Sequence, residues 1–317
     1  MRTNPDERGR KPASVTATTE QRQRLIGIGL MVGAVACFAC LDASAKWVNR
    51  TTDPIQTASV RYVGSFLLVS AFLNPWTRAG IQRTRSPWLQ GGRALCLVVA
   101  TVCSFTGLRY LPLTQMTSIT FASPLIVALI AGPILGERIG ARRLTAVLVG
   151  FAGVLVVTRP GSGGMHPAAL LAVAAACANA LYSVTTRLLA SRDSAETTLF
   201  YTGLVGSLVM LPVAPFVWAA PASALVWLLM AALAVFGTLG HWLLILAHKR
   251  TPASTLAPFF YAQLLWATVL GFLVFGEAPD RWTLIGGGIV MASGLHLLFS
   301  ERAARARAGL AAQEVER

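Results

Sequence analysis

The chain contains the stretch LPLTQMTSITFASPLIVALIAGPILGE (Leu111–Glu137), which aligns without a gap with TPASTLAPFFYAQLLWATVLGFLVFGE (Thr251–Glu277). Both copies have proline at their second position and end in Gly-Glu. Weaker matches at nearly the same spacing, such as Cys37 with Cys177 and Tyr62 with Tyr201, extend through both halves in the same order. An internal repeat of this length predicts two halves of similar structure.

The composition excludes an ordinary soluble domain. Of the 317 residues, 55% are hydrophobic and only 13% are charged, about half the charged share of a typical soluble domain. A membrane crossing needs about 20 predominantly apolar residues. The sequence therefore predicts an all-α integral membrane protein with several crossings.

Ten apolar segments are separated by charged residues, glycine or proline, and each predicts one transmembrane helix. In chain order they are Leu25–Ala45, Ile55–Leu73, Trp88–Leu108, Leu113–Leu135, Leu144–Val157, Pro167–Thr186, Thr197–Trp218, Ala222–Ala247, Ser254–Phe275 and Trp282–Ser300.

The basic residues predict how these helices are oriented. With both termini placed in the cytoplasm, 21 Lys and Arg residues fall on the cytoplasmic side and 5 on the opposite side. Basic residues prefer cytoplasmic loops, so we expect a multi-pass protein of the inner membrane with both termini in the cytoplasm. The same distribution argues against nucleic-acid binding, which needs basic residues on one water-facing surface.

The repeat and the orientation together predict the architecture. Each half carries five crossings, and an odd number inverts the second half relative to the first. The expected organisation is a disordered cytoplasmic tail at 1–24, five-helix repeats at 25–160 and 161–300, and a cytoplasmic tail at 301–317. Inverted repeats are typical of alternating-access transporters, which bind substrate near the midplane between their halves. A purely structural duplication is the alternative.

The pattern RYLPLTQMTSITFASPL…LGERI, with its echo HKRTPASTLAPFF…FGEAP, resembles the EamA branch of the drug/metabolite transporter superfamily. The resemblance covers about residues 27–300. The stretch LDASAKWVNRTTDPIQTASVRY (Leu41–Tyr62) is similar to a subgroup with riboflavin and S-adenosylmethionine importers. The branch also contains exporters of amino acids and metallophores, so the resemblance does not imply a direction of transport.

Ionisable residues in the first two segments are the first candidates for substrate binding, because charges within a bilayer usually face partners or water. Asp42 and Lys46 are one helical turn apart, and Arg61 lies on the next segment. They predict a charged cavity wall, with Asp42 as a proton or counter-ion site. The alternative is a structural cluster in which Lys46 reaches the membrane surface.

Polar and aromatic residues in four later segments complete the predicted site. They are Gln115, Asn179, Tyr182, His241, Trp242, Tyr261 and Gln263. Each could instead stabilise contacts between helices. The prolines Pro124 and Pro258 each remove one helical hydrogen bond, so they predict broken helices beside the site.

The sequence therefore predicts a secondary transporter for a small polar organic metabolite, with riboflavin or a similar aromatic-ring compound as the leading candidate. The alternatives are an exporter of amino acids, metallophores or related metabolites, and a membrane scaffold that does not transport. Neither a P-loop nor a hydrolase motif is present, so we expect no enzyme activity and no cofactor or metal. The expected partners are the substrate and the lipid bilayer, and the sequence leaves a homodimer open.

Overall fold

The structure is a computed structural model that describes residues 13–74, 80–135, 141–159, 166–189, 192–251, 256 and 259–315. All regular secondary structure in these ranges is helical. The helices are α1 (Ala13–Val48), α2 (Pro54–Leu73), α3 (Pro87–Leu108), α4 (Leu113–Thr120), α5 (Ser123–Leu135), α6 (Ala141–Thr158), α7 (Ala169–Leu189), α8 (Ala195–Met210), α9 (Ala214–Val217), α10 (Ala224–Arg250), α11 (Ala262–Phe275) and α12 (Arg281–Val315).

Each of the ten predicted segments contains helix. Within the described ranges, five helical stretches are long and apolar enough to cross a membrane: Gln21–Val48, Pro87–Leu108, Leu113–Ile130, Ala169–Thr186 and Ala224–Arg250. Two shorter apolar helices cover Leu144–Thr158 and Ala262–Phe275. The apolar helices identify a membrane protein, and ten crossings remain a prediction.

Two helices extend beyond their predicted segments. Helix α1 begins at Ala13, inside the stretch predicted as a disordered tail, and α12 continues to Val315, inside the predicted C-terminal tail. Neither helix contains proline, the residue that most strongly breaks a helix.

The packing of the helices follows the repeat. Helices α1 to α6 match α7 to α12, with α4 and α5 together matching α11. Helix α1 packs on α10 and α11, and the matched helix α7 packs on α3, α4 and α5. Similarly, α2 packs on α10, and the matched helix α8 packs on α3. The main contacts between the two halves therefore occur in matched pairs.

Matching helix breaks occur in the two copies of the repeated stretch. Helix α4 ends at Thr120, the turn Phe121–Ala122 follows, and α5 begins at Ser123. Pro124 has no N–H to donate to the carbonyl group of Thr120, which explains the break. In the second copy Tyr261, 140 residues after Phe121, lies in a turn before α11. The break predicted from Pro124 is confirmed, whereas Pro258 lies outside the described residues.

Local capping fixes the helix that carries Arg61. Asp53 is the N-cap of α2, and its side chain accepts a hydrogen bond of 2.8 Å from the backbone N–H of Ile55. Pro54 follows at the first helical position, where its missing N–H costs nothing. The helix ends at Asn74, whose φ of 40° is left-handed, a conformation that asparagine tolerates at helix ends.

Candidate functional site

A cavity of about 420 Å³ lies between the two halves of the protein. Helices α1 to α5 contribute its lining from the first half, and α7, α10, α11 and α12 contribute from the second. Its polar lining includes the side chains of Asp42, Arg61, Thr101, Ser104, Thr120, Ser123, Asn179, Ser183, His241 and Gln263. Aromatic rings are contributed by Phe38, Phe105, Phe121, Tyr182 and Phe260.

Six of the ten predicted site residues line this cavity: Asp42, Arg61, Asn179, Tyr182, His241 and Gln263. They come from both halves, as the repeat predicts. Asp42 and Gln263 meet across the halves, with the Gln263 amide nitrogen donating to Asp42 Oδ2 at 3.4 Å. The ring of His241 packs edge-on against Phe38 at 5.0 Å between centroids.

The guanidinium group of Arg61 is held in one orientation. It donates a hydrogen bond of 2.5 Å to the Thr101 hydroxyl, which is itself 2.8 Å from the hydroxyl of Tyr62. The guanidinium carbon lies 4.8 Å from the ring centre of Tyr62 and 6.0 Å from that of Phe105. Cation–π contact at these distances stabilises an arginine that is only 6% exposed.

The other four predicted residues are not among those that line the cavity. Trp242 packs on the apolar cluster that contains Val69 and Phe200. Gln115 is half-buried on α4. The ring of Tyr261 packs edge-on against Phe121 at 5.1 Å. The described contacts of Trp242 and Tyr261 are packing contacts, and a solute-binding role for these three residues stays a prediction.

Lys46 is the fourth, and it lies beyond the cavity at the end of α1. Its ammonium group forms an ion pair of 2.9 Å with Glu277 and donates a hydrogen bond of 2.5 Å to the carbonyl oxygen of Leu111. The second carboxylate oxygen of Glu277 accepts from the backbone N–H of Leu113 at 3.2 Å, at the start of α4. These contacts tie together α1, α4 and the end of α11. Glu137, the repeat partner of Glu277, lies outside the described residues.

A second polar cluster lies where α3 meets α8. Arg93 is fully buried, and it donates to the Thr202 hydroxyl and, at 2.7 Å, to the carbonyl oxygen of Thr198. Its guanidinium carbon also lies 5.0 Å from the ring centre of Tyr182, on the cavity wall. The cluster therefore packs against the Tyr182 ring and helps to hold it in the cavity wall.

Asp193, in the loop before α8, extends this second cluster. It accepts hydrogen bonds from Gln90 at 2.9 Å, from the backbone N–H of Arg85 at 3.0 Å and from the Thr84 hydroxyl. Partial burial by itself would raise the pKa of the Asp193 carboxyl group, but these three hydrogen bonds outweigh it and lower the pKa below its ordinary value.

The prediction from sequence omitted Thr101, which orients the guanidinium of Arg61. The repeat contains a signal for it, because Thr101 lies 140 residues before His241 and both line the cavity. Among the residues that the structure describes, no group of three or more His, Cys, Asp or Glu side chains could hold a metal ion.

Comparison with known proteins is consistent with this architecture. The model of the EamA-like transporter family matches this chain twice, at residues 25–159 and 166–299. A solved crystal structure that covers 90% of this chain and 99% of its own has a TM-score of 0.61 at 18% identity, which supports the fold alone.

Three relatives are named for different solutes. An S-adenosylmethionine uptake transporter of Rickettsia conorii is 28% identical over 89% of this chain and 96% of its own. A riboflavin transporter of Vibrio cholerae is 32% identical over 83% and 89%, and a pseudopaline exporter of Pseudomonas aeruginosa is 27% identical over 84% and 93%. Both matches to the family model together cover most of the sequence, one in each half. This chain belongs to the EamA-like transporter family.

Proposed function

We propose that this protein is a secondary transporter that moves a small polar organic metabolite across the inner membrane by alternating access. The observation that carries the proposal is the cavity, because both halves line it and its polar residues come from both. A binding site between two repeats can open to either side as the halves rock against each other. Ten crossings, an inverted second half and cytoplasmic termini belong to the same proposal.

The lining supports a solute that carries a flat ring. Five aromatic side chains lie around the cavity, and rings bury much apolar surface against one another in offset or edge-on contacts. Amide, hydroxyl and charged groups beside them suit a polar solute. Riboflavin and S-adenosylmethionine, for which relatives are named, both combine a ring system with polar groups, and riboflavin was the leading candidate from the sequence.

Export is the second candidate function, and the observation that favours it is the similarity to a pseudopaline exporter over 84% of this chain. The cavity by itself is compatible with either direction.

Reconstituted protein tests the proposal directly. Purified protein in liposomes without nucleotide should accumulate at least one labelled compound from a panel of flavins, nucleosides, S-adenosyl compounds and amino acids, above the level in empty liposomes. Right-side-out and inverted vesicles, each with an imposed proton gradient, then distinguish uptake from export. If no member of the panel is transported in either orientation, the result contradicts the proposal and favours a membrane scaffold that does not transport.

Reporter fusions test the topology separately. Fusions after Arg83, Arg142 and Arg307 should report the cytoplasm, and a fusion after Gly163 should report the periplasm. A periplasmic signal at Arg307 would contradict an even number of crossings and, with it, the inverted arrangement of the halves.

A further inference from the structure

Two opposite charges line the cavity without a direct ion pair between them. Asp42 on α1 and Arg61 on α2 both belong to the lining. Among the described residues, no carboxylate oxygen lies within the 4.0 Å ion-pair distance of the Arg61 guanidinium, and no Lys or Arg nitrogen lies within it of the Asp42 carboxylate. Charges at membrane depth are costly unless they have partners or water. The two groups are therefore available to a solute that carries the complementary charges.

The surroundings of Arg61 suit it to bind a carboxylate. Thr101 accepts one of the five guanidinium N–H groups, and the rings of Tyr62 and Phe105 lie against the guanidinium. A planar arginine with a fixed orientation binds a carboxylate through two parallel hydrogen bonds. Little side-chain entropy remains to be lost when the solute binds.

The surroundings of Asp42 suit it to bind an ammonium group. Its hydrogen bond to a described residue comes from Gln263, at the long distance of 3.4 Å, and an ionised carboxylate can accept several hydrogen bonds. Among the described residues that line the cavity, His241 and Tyr182 are the other titratable groups besides Arg61, and Asn179 adds a polar side chain. The Asp42 carboxylate can therefore accept further hydrogen bonds from a cationic group of the solute.

We propose that the solute is a zwitterion: an amino-acid-like group whose carboxylate binds Arg61 and whose ammonium binds Asp42, joined to a ring that packs on the aromatic side chains of the cavity. This inference rests on the proposed transport function and narrows it to a substrate class. It favours ring compounds with an amino-acid group over neutral ring compounds.

Equilibrium binding to the purified full-length protein tests the inference with two sets of probes. The first set carries an amino-acid group: S-adenosylmethionine, S-adenosylhomocysteine and tryptophan. The second carries a ring without one: riboflavin and adenosine. The zwitterion proposal requires that a member of the first set binds more tightly than either member of the second.

Variants then test which charged group of the solute each of the two residues binds. Arg61→Gln and Asp42→Asn should each weaken binding of the preferred zwitterion about 10- to 100-fold, the range for hydrogen bonds to charged groups. Arg61→Lys keeps the charge and should lie between the parent and Arg61→Gln. A decarboxylated form of the same probe should bind Arg61→Gln and the parent equally well. Without its carboxylate, the probe has no group for Arg61 to bind, so removal of Arg61 should have no further effect. His296→Ala, on the exposed face of α12, is the control and should bind like the parent.

The outcomes separate this inference from the transport function. Tighter binding and faster transport of riboflavin or adenosine than of every amino-acid probe would overturn the zwitterion and leave transport standing. Equal weakening of both probe sets by Arg61→Gln would also overturn it. Failure of both sets to be transported by folded protein would remove the transport function and this inference together.

Discussion

The Nζ atom of Lys46 lies 2.9 Å from Oε1 of Glu277, which joins the last turn of α1 to the residue that follows the C-cap of α11. The turn that positions Glu277 depends on Gly276, whose φ of 67° is left-handed and therefore suits glycine. Glu277 also caps the first N–H of α4, where a carboxylate is favoured by the helix dipole. One carboxylate thus connects three helices at one end of the cavity.

We expect Glu277→Gln to destabilise the protein. The change keeps the shape of the side chain but removes the counter-charge of Lys46, a residue that is only 8% exposed. Removal of one member of a buried pair costs about 3–5 kcal/mol, and the 27% exposure of the Glu277 side chain reduces our expectation to about 1–3 kcal/mol. The measurement is the free energy of unfolding, or the melting temperature, in detergent.

A matched ion pair serves as the control. Lys249 and Glu196 are 2.8 Å apart, but the Lys249 side chain is 53% exposed. Glu196→Gln should therefore cost about 0–1 kcal/mol. If Glu196→Gln and Glu277→Gln lower the free energy of unfolding by the same amount, burial of Lys46 does not strengthen its ion pair with Glu277.

The contribution of Asp193 to stability should depend on pH in a defined direction. Its pKa is lowered in the folded protein from the ordinary 3.8, so the folded state binds protons less readily than the unfolded state. The stabilisation is then present above the unfolded pKa and is lost as the pH falls through the folded pKa. The melting temperature of the parent should exceed that of Asp193→Asn by a constant margin above about pH 5, and the margin should shrink below about pH 4. A margin that grows on acidification would contradict the lowered pKa.

Helical geometry explains which predicted site residues line the cavity. His241 and Trp242 are neighbours on α10, and adjacent residues on an α-helix point about 100° apart. His241 faces the cavity and Trp242 faces the cluster around Phe200. The sequence predicted both residues for the binding site because both lie in the same apolar segment. Only the packing of α10 against its neighbours determines which of them faces the cavity.

The position of Lys46 outside the cavity could not be predicted from the sequence for a different reason. It shares a helical face with Asp42 but lies about 6 Å further along α1, at 1.5 Å per residue, where the cavity has ended. Its partner Glu277 is distant in sequence and is brought close by the turn at Gly276. The sequence predicted the repeat, the helices and the break at Phe121 because these depend on local patterns. It could not predict contacts between the halves, which depend on how the helices pack.

The close contact between α6 and α12 should require glycine at position 286. A Cβ atom at Gly286 would lie 2.5 Å from the carbonyl oxygen of Gly153 and 2.9 Å from the backbone nitrogen of Val157. Backbone atoms cannot move aside as a flexible side chain can, so Gly286→Ala must separate the two helices, at a cost of about 1–3 kcal/mol. The melting temperature in detergent should fall accordingly.

Gly288→Ala is the control for this change, two residues further along the same helix. A Cβ atom at Gly288 would meet nothing within 4 Å, and alanine favours a helix over glycine by about 0.5–1 kcal/mol. Gly288→Ala should be neutral or stabilising. Similar destabilisation by both substitutions would contradict the assignment of the effect to the contact with Gly153, because helix propensity alone favours alanine at both positions.

The hydroxyl group of Tyr261 tests whether that residue binds solute or only packs. Tyr261 is 6% exposed and its ring lies against Phe121. Its buried hydroxyl oxygen has no hydrogen-bond partner among the described residues. A buried hydroxyl without a partner costs about 1–3 kcal/mol, so Tyr261→Phe should be neutral or stabilising and should leave the apparent KM of uptake unchanged. Gln263→Ala, two residues away on the cavity wall, should raise the KM, because its amide reaches Asp42. If Tyr261→Phe instead raises the KM of a normally folded protein several-fold, the hydroxyl binds the solute in another state of the transport cycle, and Tyr261 returns to the binding site predicted from the sequence.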